Sequence, residues 1–132
     1  MNDEQIEREI QAKGLTAPRV TIEAIEAEIV HDAYFTAADG IDGWSMRAHR
    51  MRAGALPQQL DLLTICVLVL RNGFTVTGES ACASPENFDA EVGRKIARQN
   101  AVQKIWPLMG YELRTRLHDA AVKDACEKRC EG

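Results

Sequence analysis

Between positions 62 and 83 the chain reads as two extended segments joined at a turn. Leu62 to Arg71 is a nearly unbroken apolar run, Asn72-Gly73 is a dipeptide that tolerates positive φ, and Phe74 to Ala83 follows. A two-residue loop pairs Arg71 with Phe74, so that paired numbers sum to 145. On that register Leu63, Ile65, Val67 and Val69 share one face with Phe74, Val76, Gly78, Ser80 and Cys82, and this face is expected to be the core. The other face sets Leu70 against Thr75, Leu68 against Thr77, Cys66 against Glu79 and Thr64 against Ala81. A lone hairpin is marginal in water, and the first strand is apolar on both sides, so the second face needs a cover. A third strand at Tyr34 to Thr36 is one candidate. A second copy of the chain is the other, and Cys66, Leu68, Leu70 and Thr77 are then the expected oligomer face.

Helical periods flank the hairpin. Ser84-Pro85-Glu86 is a helix start, with a capping hydroxyl, a preset φ and an acid near the positive end of the dipole. The helix it opens, about 85–106, carries Phe88, Val92 and Ile96 on one stripe and Gly93, Ala97 and Ala101 beside it. Residues this small let a helix approach a sheet closely, and Glu91 and Lys95 form a favourable pair one turn apart. Pro107 and Gly110 end or bend the helix, and a C-terminal helix follows at about 111–128. Upstream, Thr21 caps a helix of about 22–33 with Ile22, Ile25, Ile29 and Ala33 in period. Residues 2–13 read as a short charged helix, Gly14 and Pro18 break the chain, and Asp39-Gly40 and Asp42-Gly43 mark a loop. Trp44 to Gln59 shows no clear period. The expected fold class is α+β: a β-hairpin (about 62–71 and 74–83) packed under the long helix. The expected organisation is an arm at 1–14, a single α+β domain at 15–116 and a helical tail at 117–132.

Composition narrows the function classes. The 132 residues are 45% apolar and 27% charged, an ordinary globular balance with room for one core. The longest apolar run is too short for a bilayer, and the acidic N-terminus has no apolar leader segment, so no membrane span or secretory signal is expected. The four cysteines, Cys66, Cys82, Cys126 and Cys130, are then expected as free thiols in a reducing cytoplasm. The net charge of −4 disfavours a general nucleic-acid binder. The charge is unevenly spread, however: residues 1–30 carry seven acids and three bases, and residues 91–132 nine bases and six acids.

Candidate chemistry is sparse. Arg94, Lys95, Arg98 and Lys104 on the long helix, with Arg47, Arg50 and Arg52, are candidate anion-binding residues, because Arg forks suit phosphate oxygens. Trp44 is a candidate for stacking on a base, whereas Trp106, beside Ile105 and Pro107, reads as core. Cys126 and Cys130 supply two of the four donors a zinc site needs, so no metal is expected. Ser80 and Glu79 are adjacent in a strand and point to opposite faces, so they cannot share a catalytic site. His31, His49 and His118 pair with no nucleophile at a recognisable spacing, and no catalytic residue or cofactor is expected.

Several blocks carry a family resemblance. They are Pro18-Arg-Val-Thr21, Tyr34-Phe-Thr-Ala-Ala-Asp-Gly40, Leu60-Asp-Leu-Leu-Thr-Ile-Cys66 and Asn72-Gly-Phe-Thr-Val-Thr-Gly-Glu-Ser-Ala-Cys82. Ser84-Pro-Glu-Asn-Phe-Asp89, Gly93-Arg-Lys-Ile-Ala-Arg98, Asn100-Ala101 and Lys104-Ile-Trp-Pro-Leu-Met-Gly-Tyr111 continue them. Together they resemble the gene-product-forty-nine-like family of small tailed-bacteriophage accessory proteins, over roughly residues 15–114. The resemblance implies a phage or prophage origin, a non-structural accessory role and action in the host bacterial cytoplasm. It brings no catalytic residue, cofactor or binding site with it.

The expected function is therefore a non-catalytic phage accessory protein, a homo-oligomer that binds and inhibits or sequesters a host or defence component. The target class is a host or defence protein or a small phosphorylated nucleotide signal. A nucleic-acid binder using the basic helix 94–104, and a small nucleotide hydrolase, are the alternatives.

Overall fold

The computed structural model describes residues 2–15, 17–48 and 54–131. In chain order the elements are α1 (Asp3–Ala12), α2 (Ile22–Glu28), β1 (Ile29–Thr36), α3 (Ala37–Arg47), β2 (Leu63–Leu70), β3 (Thr75–Ala81) and α4 (Ala90–Glu131). Short 3-10 turns lie at Gln58–Asp61 and Pro85–Asn87. The strands form one antiparallel sheet in the order β1-β2-β3, so the fold is α+β. The chain divides into two compact units, residues 28–104 with the sheet, and residues up to 27 together with those from 105 on.

The hairpin forms where expected, but its register differs by one. Leu70 N–H donates to the Phe74 carbonyl and Gly73 N–H to the Leu70 carbonyl, both at 2.8 Å, while Asn72 Oδ1 accepts from Phe74 N–H at 3.0 Å. Gly73 has φ +89, so the left-handed residue comes after the turn, and Arg71, Asn72 and Gly73 form a three-residue loop. Val69 therefore faces Thr75, Leu68 faces Val76 and Cys66 faces Gly78, and paired numbers sum to 144. The inward face of β3 is as expected, with Val76 and Gly78 buried, but β2 is turned over. Thr64, Cys66, Leu68 and Leu70 point into the core, Cys66 and Leu68 at 0% exposure. Leu63, Ile65, Val67 and Val69 take the outer face instead. Of the expected oligomer face, Cys66, Leu68 and Leu70 are thus core residues, and Thr77 alone is exposed on the outer side.

The third strand is longer than the Tyr34–Thr36 candidate and replaces the end of the expected 22–33 helix. That helix, α2, is capped by Thr21 Oγ1, which accepts from Ala24 N–H at 3.1 Å, and it stops at Glu28. From Ile29 on, β-branched and aromatic residues pair with β2, and Arg71 N–H donates to the Glu28 carbonyl at the point of departure. The segment after β1 is a helix rather than a loop. Thr36 and Asp39 cap it reciprocally: Thr36 Oγ1 accepts from Asp39 N–H and Asp39 Oδ2 from Thr36 N–H. This box starts α3 and carries it through Gly40 and Gly43.

Within residues 28–104, the first turns of α4 cover the inner face of the sheet through the small residues the sequence singled out. Gly93, Ala97 and Ala101 are buried, whereas Val92 and Ile96 are exposed. A Cβ on Gly78 would meet the Ala97 carbonyl and Ala101 nitrogen, and would stand 2.9 Å from Ala101 Cα. A Cβ on Gly93 would stand 3.0 Å from Thr64 Oγ1. The helix begins later than expected. Ser84 makes no side-chain cap, Pro85 opens a single 3-10 turn, and Asp89 Oδ1 caps α4 by accepting from Val92 N–H at 3.1 Å. It also runs on through Pro107 and Gly110 as one element. The proline withdraws the bond to the Gln103 carbonyl, and Gln103 lies at the surface.

In the other unit, Asn2 and Gln5 form a capping box on α1, and Ile25 and Ile105 are fully buried. Glu7 and Arg19 meet in a two-pronged pair, both contacts at 2.7 Å. The Arg19 hydrogen bonds, with one from Gln11, hold the Glu7 carboxyl at about 2. Because the folded value is depressed, what the pair adds to stability is complete above about 4.5 and is lost as pH falls towards about 2. A carbon-detected titration of Glu7 is expected to show its midpoint near 2, and Arg19→Gln to return it to the ordinary glutamate range. An ordinary midpoint in the unaltered protein would refute the pair.

Candidate functional site

The sheet-bearing unit has a cleft of about 160 Å³, lined by Tyr34, Phe35, Thr36, Asp39, Thr64, Phe88, Ala90 and Arg94. Four local structures converge on it. The end of β1 brings Tyr34 and Phe35, the capping box of α3 brings Thr36 and Asp39, the start of β2 brings Thr64, and the approach to α4 brings Phe88 and Arg94. Arg94 sits one turn into α4 and makes no ion pair with any described residue. Asp39 commits Oδ2 to Thr36 N–H, which holds the carboxylate at the cleft wall. The cleft therefore joins a guanidinium, a fixed carboxylate and three aromatic rings in a space the size of one small ring or one phosphate group.

Deeper on the same sheet face, Tyr34 and Cys66 are cross-strand partners. Burial and a hydrogen bond to Asp32 push the Tyr34 hydroxyl up to about 12. Burial pushes the Cys66 thiol up as well, opposed by a hydrogen bond with Tyr34 and by the positive charge of Arg98. Both groups thus stay protonated at neutral pH. A fully buried, protonated thiol is a packing residue and not a nucleophile.

The candidate anion-binding residues do not converge. Arg94 lines the cleft, and Arg98, one turn on, is half-buried and acts on the Tyr34–Cys66 pair. Lys95 is exposed and paired with Glu91 at 3.3 Å, Lys104 is exposed further along α4, and Arg47 is exposed at the end of α3. Arg50 and Arg52 lie outside the described residues. Trp44 is exposed on α3 and does not line the cleft. Sequence reasoning missed the cleft walls. The signal for them was the Thr36-x-x-Asp39 capping spacing, which marks a helix start where Asp39-Gly40 suggested a loop.

Among the described residues no three His, Cys, Asp or Glu side chains are placed to hold a metal ion. No helix there is long and apolar enough to cross a membrane. No curated protein and no solved structure matches the chain. Residues 20–117, about three quarters of the chain, match a family of phage proteins and include the whole sheet, the cleft and the first turns of α4. The chain thus belongs to the phage protein (N4 Gp49/phage Sf6 gene 66) family.

Proposed function

We propose that this phage protein acts in the host cytoplasm by binding, and that it sequesters a small phosphorylated ligand of a host or defence pathway. The observation that carries the reading is Arg94, a cation with no ion pair to any described residue, set among Tyr34, Phe35 and Phe88. A guanidinium offers a planar fork to phosphate oxygens, and aromatic rims suit a ring attached to that phosphate. Asp39 on the facing wall supplies an acceptor for a sugar hydroxyl or a base N–H. The cleft holds one such moiety and leaves the rest of a larger ligand at the surface.

Thermal unfolding of the full chain against inorganic phosphate and a panel of mono-, di- and cyclic nucleotides tests this. A true ligand at a hundredfold excess over its Kd is expected to raise the Tm by about 10 °C, because binding to the folded state alone stabilises it by mass action. Arg94→Glu is expected to remove the shift, and chromatography to recover the ligand unchanged. A shift that survives Arg94→Glu, or no shift with any member of the panel, would overturn the assignment. Conversion of the ligand would replace binding with hydrolysis.

A further inference from the structure

The outer face of the sheet, opposite the first turns of α4, is apolar and half-buried along its central strand. β2, the central strand, presents Leu63, Ile65, Val67 and Val69 there in succession. Across the three strands the rows read His31–Val69–Thr75, Ala33–Val67–Thr77 and Phe35–Ile65–Glu79, with Leu63–Ala81 beyond them. Among the described residues α3 touches this face at its Phe35 end, where a Cβ on Gly40 would stand 3.4 Å from the ring. A central strand that is apolar on both sides belongs between two layers. Among the described residues of 28–104 the structure gives it one.

We infer that the second layer is the same face of a second copy, packed sheet on sheet about a two-fold axis. One observation favours a copy of this chain over a different partner. It is charge. Among the described residues of the three strands, His31 and Glu79 are the titratable ones on the face, and they occupy diagonally opposite corners of it. A two-fold axis in the interface, perpendicular to the line joining them, exchanges the two corners. It sets each imidazole against the carboxylate of the other copy and crosses the strands near 90°, one of the two preferred sheet packings. A face that is its own complement in charge needs no other partner.

Area sets the strength of the contact. Three strands about 4.8 Å apart and about 26 Å long present a footprint of about 370 Å². Crossed near 90°, two such faces overlap over about 14 Å by 14 Å, about 200 Å² per copy, so the contact falls below the roughly 1,000 Å² of a stable specific interface and belongs to the weak, transient class. The dimer is accordingly concentration-dependent.

Sedimentation of the full chain over two decades of concentration is expected to show a reversible shift from monomer to dimer mass. Ile65→Lys places a charge at the centre of the face and is expected to hold the protein at monomer mass. Thr77→Arg does the same from an exposed position on an edge strand, where folding is not at stake, so it decides the matter if Ile65→Lys fails to fold. Glu79→Lys is expected to weaken the dimer at least tenfold, and adding His31→Glu to restore it. A protein that stays monomeric at every concentration overturns the inference. So does a dimer that persists in folded Thr77→Arg.

Discussion

Gly78→Val is expected to abolish the folded state at ordinary temperature, and Gly78→Ala to cost about 3 kcal/mol or more in urea denaturation. The reason is the identity of the atoms that a side chain at Gly78 would meet. The Ala97 carbonyl, the Ala101 nitrogen and Ala101 Cα are all backbone, so no rotamer change relieves the overlap. α4 would have to rise off the sheet, separating Ala97, Ala101 and Val102 from Cys66, Leu68 and Val76. Against a total stability of about 5–15 kcal/mol, that is a large fraction. Gly43→Ala is the control. It lies within α3 with nothing within 4 Å of the added carbon, and is expected to stabilise by up to about 1 kcal/mol. A Gly78→Ala protein as stable as the parent would mean that α4 does not lie against β3 as described.

Leu68→Glu should unfold the protein, whereas Val67→Glu, one residue away, should leave a folded monomer. Leu68 is 0% exposed, so a carboxylate there is buried without a partner. A penalty of about 4–5 kcal/mol or more is expected from burying an unpaired charge and losing the aliphatic packing. Val67 faces outward and keeps its substituent in water. Circular dichroism, with sedimentation on the same samples, separates the outcomes. If both variants fold and only Leu68→Glu changes the assembly, then the strand is turned the other way.

That contrast also marks how far the sequence could be read. The hairpin, the small-residue stripe of α4 and the Thr21 cap were legible because each depends on local chemistry: a turn dipeptide, a four-residue period and a hydroxyl at a helix start. The faces of β2 were not. With Leu63, Ile65, Val67 and Val69 on one side and Cys66, Leu68 and Leu70 on the other, hydrophobicity is the same either way round. The decision falls to the single extra residue in the Gly73 loop and to the close approach at Gly78. β1 was misread for a related reason. Ile22, Ile25, Ile29 and Ala33 satisfy a helical period, and only the pairing with β2 overrides it after Glu28. The cleft was the least legible part, because its walls come from four local structures whose convergence is set by the sheet.

Both edges of this small sheet carry a stop. Phe74 and Leu62 fix the ladder so that alternate β3 residues, Glu79 among them, aim their backbone groups away from β2. There the Glu79 carbonyl already accepts from Asn100 Nδ2 at 2.8 Å. On the opposite edge β1 is irregular between Ile29 and His31. An acceptor already occupied and a kinked ladder are poor templates for strand addition. The molecule can thus reach high concentration without its edges seeding fibrous aggregates.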